Sequence, residues 1–322
     1  MPKVSIIVPV FNGSGYIERN TRYILEQDHR DIEVIFVADK RSTDDTVRKI
    51  ESVLPKYHDA VVVEQTEGGL GQARNIGLEY VTGDLIWFLD VDDHPLPDFL
   101  STLVDAQLEH DADVVFCNYI RSSETDPVIK NRKNGIKVMS RYEAMTARGK
   151  NKIPVTSWSM ITKTDVIMRN GLRFIPTGYA EDIDFTYRLL SRSDTICFCE
   201  TPLYVYIQNS NSMCNDRGGD KRGMDEIERY RQLTDYIKAE EPGFYDKFRR
   251  IAAMTAIRSS TRMDAGQYNC FVKDERTRSM VAEELAHGIE PEIVFFKILP
   301  GMYRLLARTY MKLIFYREGK TF

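Results

Sequence analysis

Residues 84–94 read DLIWFLDVDDH. Leu85 to Leu89 form an apolar run with no polar interruption, the pattern of a strand buried on both faces. The chain then sets Asp90, Asp92 and Asp93 at the end of that run. Carboxylates repel one another, and a buried unpaired charge costs several kcal/mol or changes its protonation. A buried strand ending in acids therefore predicts a sheet edge that holds something cationic.

Similar runs rich in Val, Ile and Phe occur at 4–10 (VSIIVPV), 32–38 (IEVIFVA), 60–64 (AVVVE) and 113–117 (DVVFC). Segments with helical spacing separate them. One begins near Ser14-Gly15-Tyr16, and a second at Ser42-Thr43, where Asp44 and Asp45 suit the positive end of a helix. A third follows the glycines at 68–71, and a fourth follows Pro95 and Pro97. Strands alternating with helices predict right-handed crossovers, hence an α/β fold with a mostly parallel central sheet flanked by helices.

From 121 to 215 the pattern loosens. The polar stretch SSETDPVIKNRKNG reads as a loop or hairpin excursion. A helix near 140–148, an aromatic strand around Trp158, a helix from near Glu181 and strands through TICFCETPLYVYIQ follow. After 216 the strand signals stop. Residues 224–264 and 274–287 have helical spacing, and 291–318 reads as a helical pair broken at Pro300-Gly301. The expected organisation is a domain over 1–215, with halves at 1–120 and 121–215, and a C-terminal helical extension over 216–322.

The 322 residues are 43% hydrophobic and 29% charged, ordinary for a folded soluble protein. A net charge of −4 gives no general case for nucleic-acid binding. Five cysteines, an odd number scattered through a long chain, suit a reducing compartment. Cys197-Phe-Cys199 has metal-pair spacing, but the setting TICFCE reads as inert thiols alternating along a strand. Met1-Pro2-Lys3 runs directly into VSIIVPV, too short for a secretory signal. No stretch reaches the roughly 18 apolar residues of a membrane-spanning helix. The expected setting is the cytoplasm or the inner face of the cell membrane.

Ligands of open α/β sheets bind beyond the carboxyl ends of the strands. That rule brings Pro9-Val10-Phe11-Asn12, Asp39, the 66–77 segment and Asp90-Val91-Asp92-Asp93 to one edge. Each has an ordinary structural reading: a turn at Asn12-Gly13, a cap at Asp39, a tight corner at the glycines. Together they make an acidic pocket that also carries Arg74. An acid pair one residue apart suits Mg²⁺ or Mn²⁺, with phosphates completing the shell. His94 reads as a solvent-facing side chain or, alternatively, a further ligand. GGLGQARNIG at 68–77 fits neither the dinucleotide fingerprint nor the Walker pattern. It reads instead as a tight turn into a helix beginning near Gly71, with Arg74 and Asn75 offering donors to a ligand.

The second half offers GYAEDIDFTYRLL at 178–190. Glu181, Asp182 and Asp184 open a helix, where acids are commonplace. Gly178 and Tyr179 before them resemble the approach to an acceptor pocket, in which a carboxylate takes a proton from an attacking hydroxyl.

These motifs, in this order, resemble the inverting family-2 glycosyltransferases with the GT-A fold. The resemblance rests on VSIIVPVFN, on Asp39 with Ser42-Thr43-Asp44, on Ala73-Arg74-Asn75 with Gly77 and on Asp90-Val91-Asp92-Asp93. Trp158, Glu181-Asp182 and the loop YIQNSNS from Tyr206 to Ser212 extend it, so that it covers about 1–215. It implies that Asp39 faces a nucleotide base, usually uracil, with Pro9 and Val10 lining the same pocket and Asn12 beside it. It implies that Asp90 lies near ribose and metal, that Asp92 ligates the metal, and that Asp182 is the general base supported by Glu181. Trp158 would shape the sugar or acceptor pocket. The chain departs from the family at Lys40 and Arg41, where an acid and a glycine are usual, and at Glu67, where Asn is usual.

The implied reaction moves a sugar from a UDP-sugar to a hydroxyl of a glycan or lipid-linked saccharide by metal-assisted single displacement. The alternatives are a sugar-nucleotide nucleotidyltransferase and a non-catalytic nucleotide-sugar-binding protein. Outside the resemblance, 297–322 holds Lys297, Arg304, Arg308, Lys312, Arg317 and Lys320 against only Glu318. With the apolar residues between them, residues 291–322 suit a helix on an anionic membrane surface, or else packing on the domain or on a second subunit as a homo-oligomer.

Overall fold

The computed structural model describes residues 1–125, 127, 129, 135–154, 156–208 and 219–317. The chain forms two compact units, Met1–Asn215 and Asp216–Phe322. Most of the YIQNSNS loop and half of the polar 122–135 stretch lie outside the described residues, as does Cys214.

The first unit is built on one sheet. Its strands are β1 (Val4–Val10), β2 (Ile32–Asp39), β3 (Ala60–Gln65), β4 (Leu85–Phe88), β5 (His94–Pro95), β6 (Val114–Ser122), β7 (Ile136–Met139), β8 (Met160–Lys163) and β9 (Ile196–Ile207). Their order is β3-β2-β1-β4-β8-β6-β9-β5, with β7 also on β9. The helices are α1 (Ile17–Leu25), α2 (Thr46–Val53), α3 (Leu70–Leu78), α4 (Phe99–His110), α5 (Arg141–Gly149), α6 (Thr164–Arg169) and α7 (Glu181–Ser191).

Strands β1 to β4 are parallel throughout, because a helix crosses back between each pair. Every residue of β1 and β4 is buried, as their unbroken apolar runs require. The sheet turns mixed beyond β4. Strand β8 runs antiparallel to both β4 and β6, and β9 is parallel to β6 but antiparallel to β5 and β7. Order reverses beside β1: β2 and β3 lie on one side, β4 on the other. The carboxyl ends of β1 and β4 therefore flank a crevice of the kind that holds ligands in such sheets.

Close backbone approaches explain two glycines of the 68–77 segment. A Cβ on Gly77 would stand 2.4 Å from Ile7 Cγ2, so α3 seats against β1 only with hydrogen there. A Cβ on Gly71 would stand 2.0 Å from the Ile175 carbonyl oxygen. The start of α3 is thereby pressed onto the 174–176 segment, and Gly69 N donates to Pro176 O at 2.9 Å.

Several sequence expectations shift here. Trp158 lies in a single 3-10 turn, Ser157–Ser159, and the strand begins only at Met160. TICFCETPLYVYIQ holds one long strand, not several. Cys197 and Cys199 are buried within it, and burial pushes the Cys197 thiol up to about 11.

The second unit contains α8 (Gly219–Glu240), α9 (Pro242–Ser260), α10 (Ala265–Lys273), α11 (Glu275–Ala286), α12 (Pro291–Ile298) and α13 (Pro300–Arg317). Pro242 opens α9 and divides what the spacing predicts as one stretch. A cluster including Ile257, Met263, Phe271, Ile293, Phe296 and Tyr303 forms its core. Among the described residues no helix is long and apolar enough to cross a membrane.

Candidate active site

The end of β1 exposes Phe11 and Asn12, while Pro9 is buried and Val10 sits in the hydrophobic core. Pro9 and Val10 therefore back the pocket rather than line it. Asn12 adopts φ 47°, a left-handed turn that asparagine tolerates. Its Oδ1 accepts from Thr43 N at 2.8 Å, and Ser42 Oγ accepts from Asn12 N at 3.1 Å. Asp44 accepts from Ser14 N and Thr46 N. The first two motifs are thus clasped together by side chains that would otherwise look like separate turn residues.

Asp39 ends β2 and is almost buried. Its Oδ1 accepts from Arg41 N at 2.9 Å and Arg41 Nε at 2.8 Å. Its Oδ2 accepts from Arg41 Nη2 at 2.5 Å and Gln65 Nε2 at 3.2 Å. The Arg41 fork holds the Asp39 carboxyl below the usual carboxylate range.

Arg74 overturns one expectation. It is 2% exposed; its Nη1 donates to Glu181 Oε1 at 2.8 Å and its Nη2 to Asp90 Oδ1 at 3.0 Å. Asn75 is spent likewise, donating to Phe174 O and accepting from Phe174 N, both at 2.8 Å. Neither side chain offers itself to a ligand as the spacing predicts. Arg74 instead ties the acid cluster after β4 to the start of α7, and Asn75 holds the 174 segment against α3.

The three aspartates after β4 divide. Asp90 and Asp92 are partly exposed. Asp93 is 1% exposed, accepting from Tyr204 OH at 3.0 Å and Ile207 N at 2.9 Å. Burial, then repulsion from Asp92 and Asp90, pushes its carboxyl well above the usual range. His94 is not solvent-facing: it stacks on Tyr23 with centroids 3.9 Å apart, and its Nδ1 lies 2.8 Å from Thr125 O. That packing makes it part of the fold.

Among the described residues no three His, Cys, Asp or Glu side chains gather as a metal cage. Two half-open carboxylates, Asp90 and Asp92, still fit a hard divalent cation whose remaining ligands come from a substrate diphosphate.

Helix α7 starts from Ala180 in a left-handed conformation, φ 63°. Of its three acids, Asp184 is buried and paired with Arg188 at 2.8 Å, and Glu181 is paired with Arg74. Asp182 is partly exposed and takes no side-chain hydrogen bond among the described residues. Burial, then the neighbouring Glu181 charge, pushes its carboxyl up to about 7, against the pull of Arg74 and Arg148.

Arg148, from α5, was not legible in the sequence. It is 1% exposed, with its guanidinium 3.8 Å from the Tyr187 ring centroid. Tyr179 is partly buried. Trp158 is 6% exposed, stacked on Tyr204 at 4.4 Å and edge-on to Tyr119 at 4.9 Å. It is a core side chain that can support a pocket from behind but cannot form an open wall.

The family description that matches residues 5–168 is glycosyl transferase family 2, and the chain belongs to that family as a glycosyltransferase of GT-A fold. It is 25% identical to the uncharacterized glycosyltransferase YibD of Escherichia coli over 76% of this chain and 73% of YibD. It is 29% identical to the uncharacterized glycosyltransferase EpsJ of Bacillus subtilis over 66% of this chain and 63% of EpsJ. In fold it is similar to residues 1–349 of Staphylococcus aureus TarS in complex with UDP-GlcNAc, with a TM-score of 0.66 and 19% identity over 99% of this chain and 93% of that one. It is also similar to the mannosyltransferase PcManGT of Pyrobaculum calidifontis in complex with GDP-Man and Mn²⁺, with a TM-score of 0.58 and 18% identity over 96% and 86%.

Proposed function

We propose that the protein transfers a sugar from a UDP-sugar to a hydroxyl of a glycan or lipid-linked saccharide, with inversion at the anomeric carbon. The observation that carries this reading is the state of Asp182. Arg74 joins its neighbour Glu181 to Asp90, while the Asp182 carboxyl takes no hydrogen bond among the described residues and is pushed up to about 7 by burial and the Glu181 charge. A general base works best with such a pKa.

Asp182 takes the proton of the acceptor hydroxyl while that oxygen attacks the anomeric carbon opposite the departing diphosphate. One bond forms as the other breaks, so no covalent enzyme intermediate is needed. Glu181, neutralised by Arg74, keeps the start of α7 in place. Asp39 and Asn12 lie at the nucleotide end, and Tyr179 at the acceptor end, with Trp158 behind it. Asp90 and Asp92 would hold a Mn²⁺ or Mg²⁺ ion, which supplies charge stabilisation for the leaving diphosphate. The UDP-GlcNAc and UDP complexes of TarS support the donor class, and the Mn²⁺ complex of PcManGT supports the ion.

Incubation with a panel of UDP-sugars and Mn²⁺ tests the reading. Release of UDP, abolished in Asp92→Ala, is the expected result. Pyrophosphate exchange with UTP would instead identify a nucleotidyltransferase, and donor binding without turnover a non-catalytic binder.

A lipid-linked acceptor would lie at a membrane face, and the second unit carries an apolar surface that suits one. Ile298 and Leu299, at the end of α12, and Met302, Leu305, Leu306 and Tyr310 on α13 are all exposed, the last four at helical spacing. Lys297 and Arg308 add positive charge to the same segment, which suits anionic lipid. Arg304 is not part of that surface: it donates to Met263 O and lies over the Tyr268 ring at 5.1 Å. Co-sedimentation with phosphatidylglycerol vesicles, lost on Leu305→Glu with Leu306→Glu, is expected. A concentration-dependent dimer that the same substitutions dissolve, without vesicle binding, would assign the face to a second subunit.

A further inference from the structure

In the fold, Asp39 has no acceptor left to give. A carboxylate offers about four lone-pair sites, and all are taken: two on Oδ1 by the backbone and Nε of Arg41, two on Oδ2 by Arg41 Nη2 and Gln65 Nε2. The Asp39 side chain is 8% exposed, whereas that of Arg41 is 50% exposed. What this corner presents to solvent is therefore the guanidinium. Its Nη2 also donates to Gly68 O at 2.6 Å, bracing it across to the loop before α3. Nη1 has no partner among the described residues and keeps its N–H donors.

We propose that Arg41, and not Asp39, reads the nucleobase of the donor, with Asp39 acting as the positioning residue that holds the guanidinium fork. This rests on the reading that the pocket takes a nucleoside-diphosphate sugar. A bare carboxylate at this point selects a base edge carrying an N–H, such as N3–H of uracil, and repels one carrying a lone pair. A guanidinium does the opposite: it has donors only, and it accepts any edge that presents carbonyl oxygens or an unprotonated ring nitrogen. Uracil and cytosine differ at this point, because N3 bears a proton in uracil and a lone pair in cytosine, while both carry O2. The covered aspartate therefore relaxes the distinction between them.

The test is the ratio of UDP to CDP affinity, measured calorimetrically with Mn²⁺ present. The unsubstituted protein is expected to bind the two within about threefold. Arg41→Met, which keeps the stem and removes the fork, uncovers Asp39 and is expected to raise the preference for UDP at least tenfold. Adding Asp39→Asn to Arg41→Met should return the ratio toward that of the unsubstituted protein. That return separates base reading from a general loss of packing, since a loosened corner would weaken both nucleotides alike. If the unsubstituted protein already prefers UDP tenfold and Arg41→Met leaves the ratio unchanged, Arg41 swings aside and the inference is overturned while the donor reading stands. If neither nucleotide binds the unsubstituted protein, the donor reading itself fails and takes the inference with it.

Discussion

Arg74 and Glu181 meet at 2.8 Å although α3 and α7 lie far apart in the chain, and the same guanidinium reaches Asp90 at 3.0 Å. One buried cation thus balances an acid from each half of the site. Removing one partner of a buried charge group is costly because the others are left uncompensated. Arg74→Ala should lower unfolding free energy by about 3–5 kcal/mol, read by chemical denaturation. Arg74→Lys should rescue little of it, since one ammonium cannot reproduce the two-pronged geometry.

Asp182 must be ionised to accept a proton. With its carboxyl pushed up to about 7, the rate should climb as pH rises through neutrality and fall away on the acid side. Asp182→Asn should cost about 10²- to 10⁴-fold in kcat with donor affinity retained, and what activity remains should lose that pH step. A variant with unchanged kcat and bound donor would show that Asp182 is not the base and move the role to Glu181 or Asp184.

Glu33 makes a separate prediction about stability. Burial raises its carboxyl, but hydrogen bonds from Ser5 and Thr82 and the Lys3 ammonium outweigh it and pull the carboxyl down to about 2. A carboxyl depressed in the folded state stabilises the fold fully above its unfolded value, and that contribution is lost as pH falls through the folded one. Unfolding free energy should therefore drop between about pH 4.5 and 2, and Glu33→Gln should flatten that drop in denaturation curves taken across the range.

Gly71→Ala would drive a methyl group into the Ile175 carbonyl, because the Cβ position lies 2.0 Å from that oxygen. The contact is with backbone and cannot be relieved by a rotamer change. We expect a loss on the order of 1–3 kcal/mol, visible as a lower Tm. Activity should fall as well, since the displaced 174–176 segment leads into α7.

The first four strands were readable because local apolar runs determine them, and the carboxyl-edge rule then gathers Asp39, Asp90 and Asp92 without long-range knowledge. Partnerships were not readable. Arg74 looks like a ligand donor until Glu181 and Asp90 arrive from elsewhere, and Asp93 has no assignable role beside the acid pair until Tyr204 and Ile207 claim it. Arg41 stands out in the sequence as a departure, but its fork depends on χ angles that spacing does not encode. Trp158 was misplaced by its aromatic neighbours: the turn that holds it is set by the Trp87 indole, which donates to Trp158 O at 2.8 Å.

Strand β8 pairs with β4 on one side and β6 on the other, although it follows both in the chain. As the polypeptide leaves the ribosome, the outer edge of Leu85–Trp87 therefore stays unsealed until Met160–Lys163 has emerged. An open edge of such apolar character invites pairing with another chain. Until then the parallel strands β1 to β4 would keep one apolar edge open to other chains. A truncation at residue 120 would leave that edge open permanently.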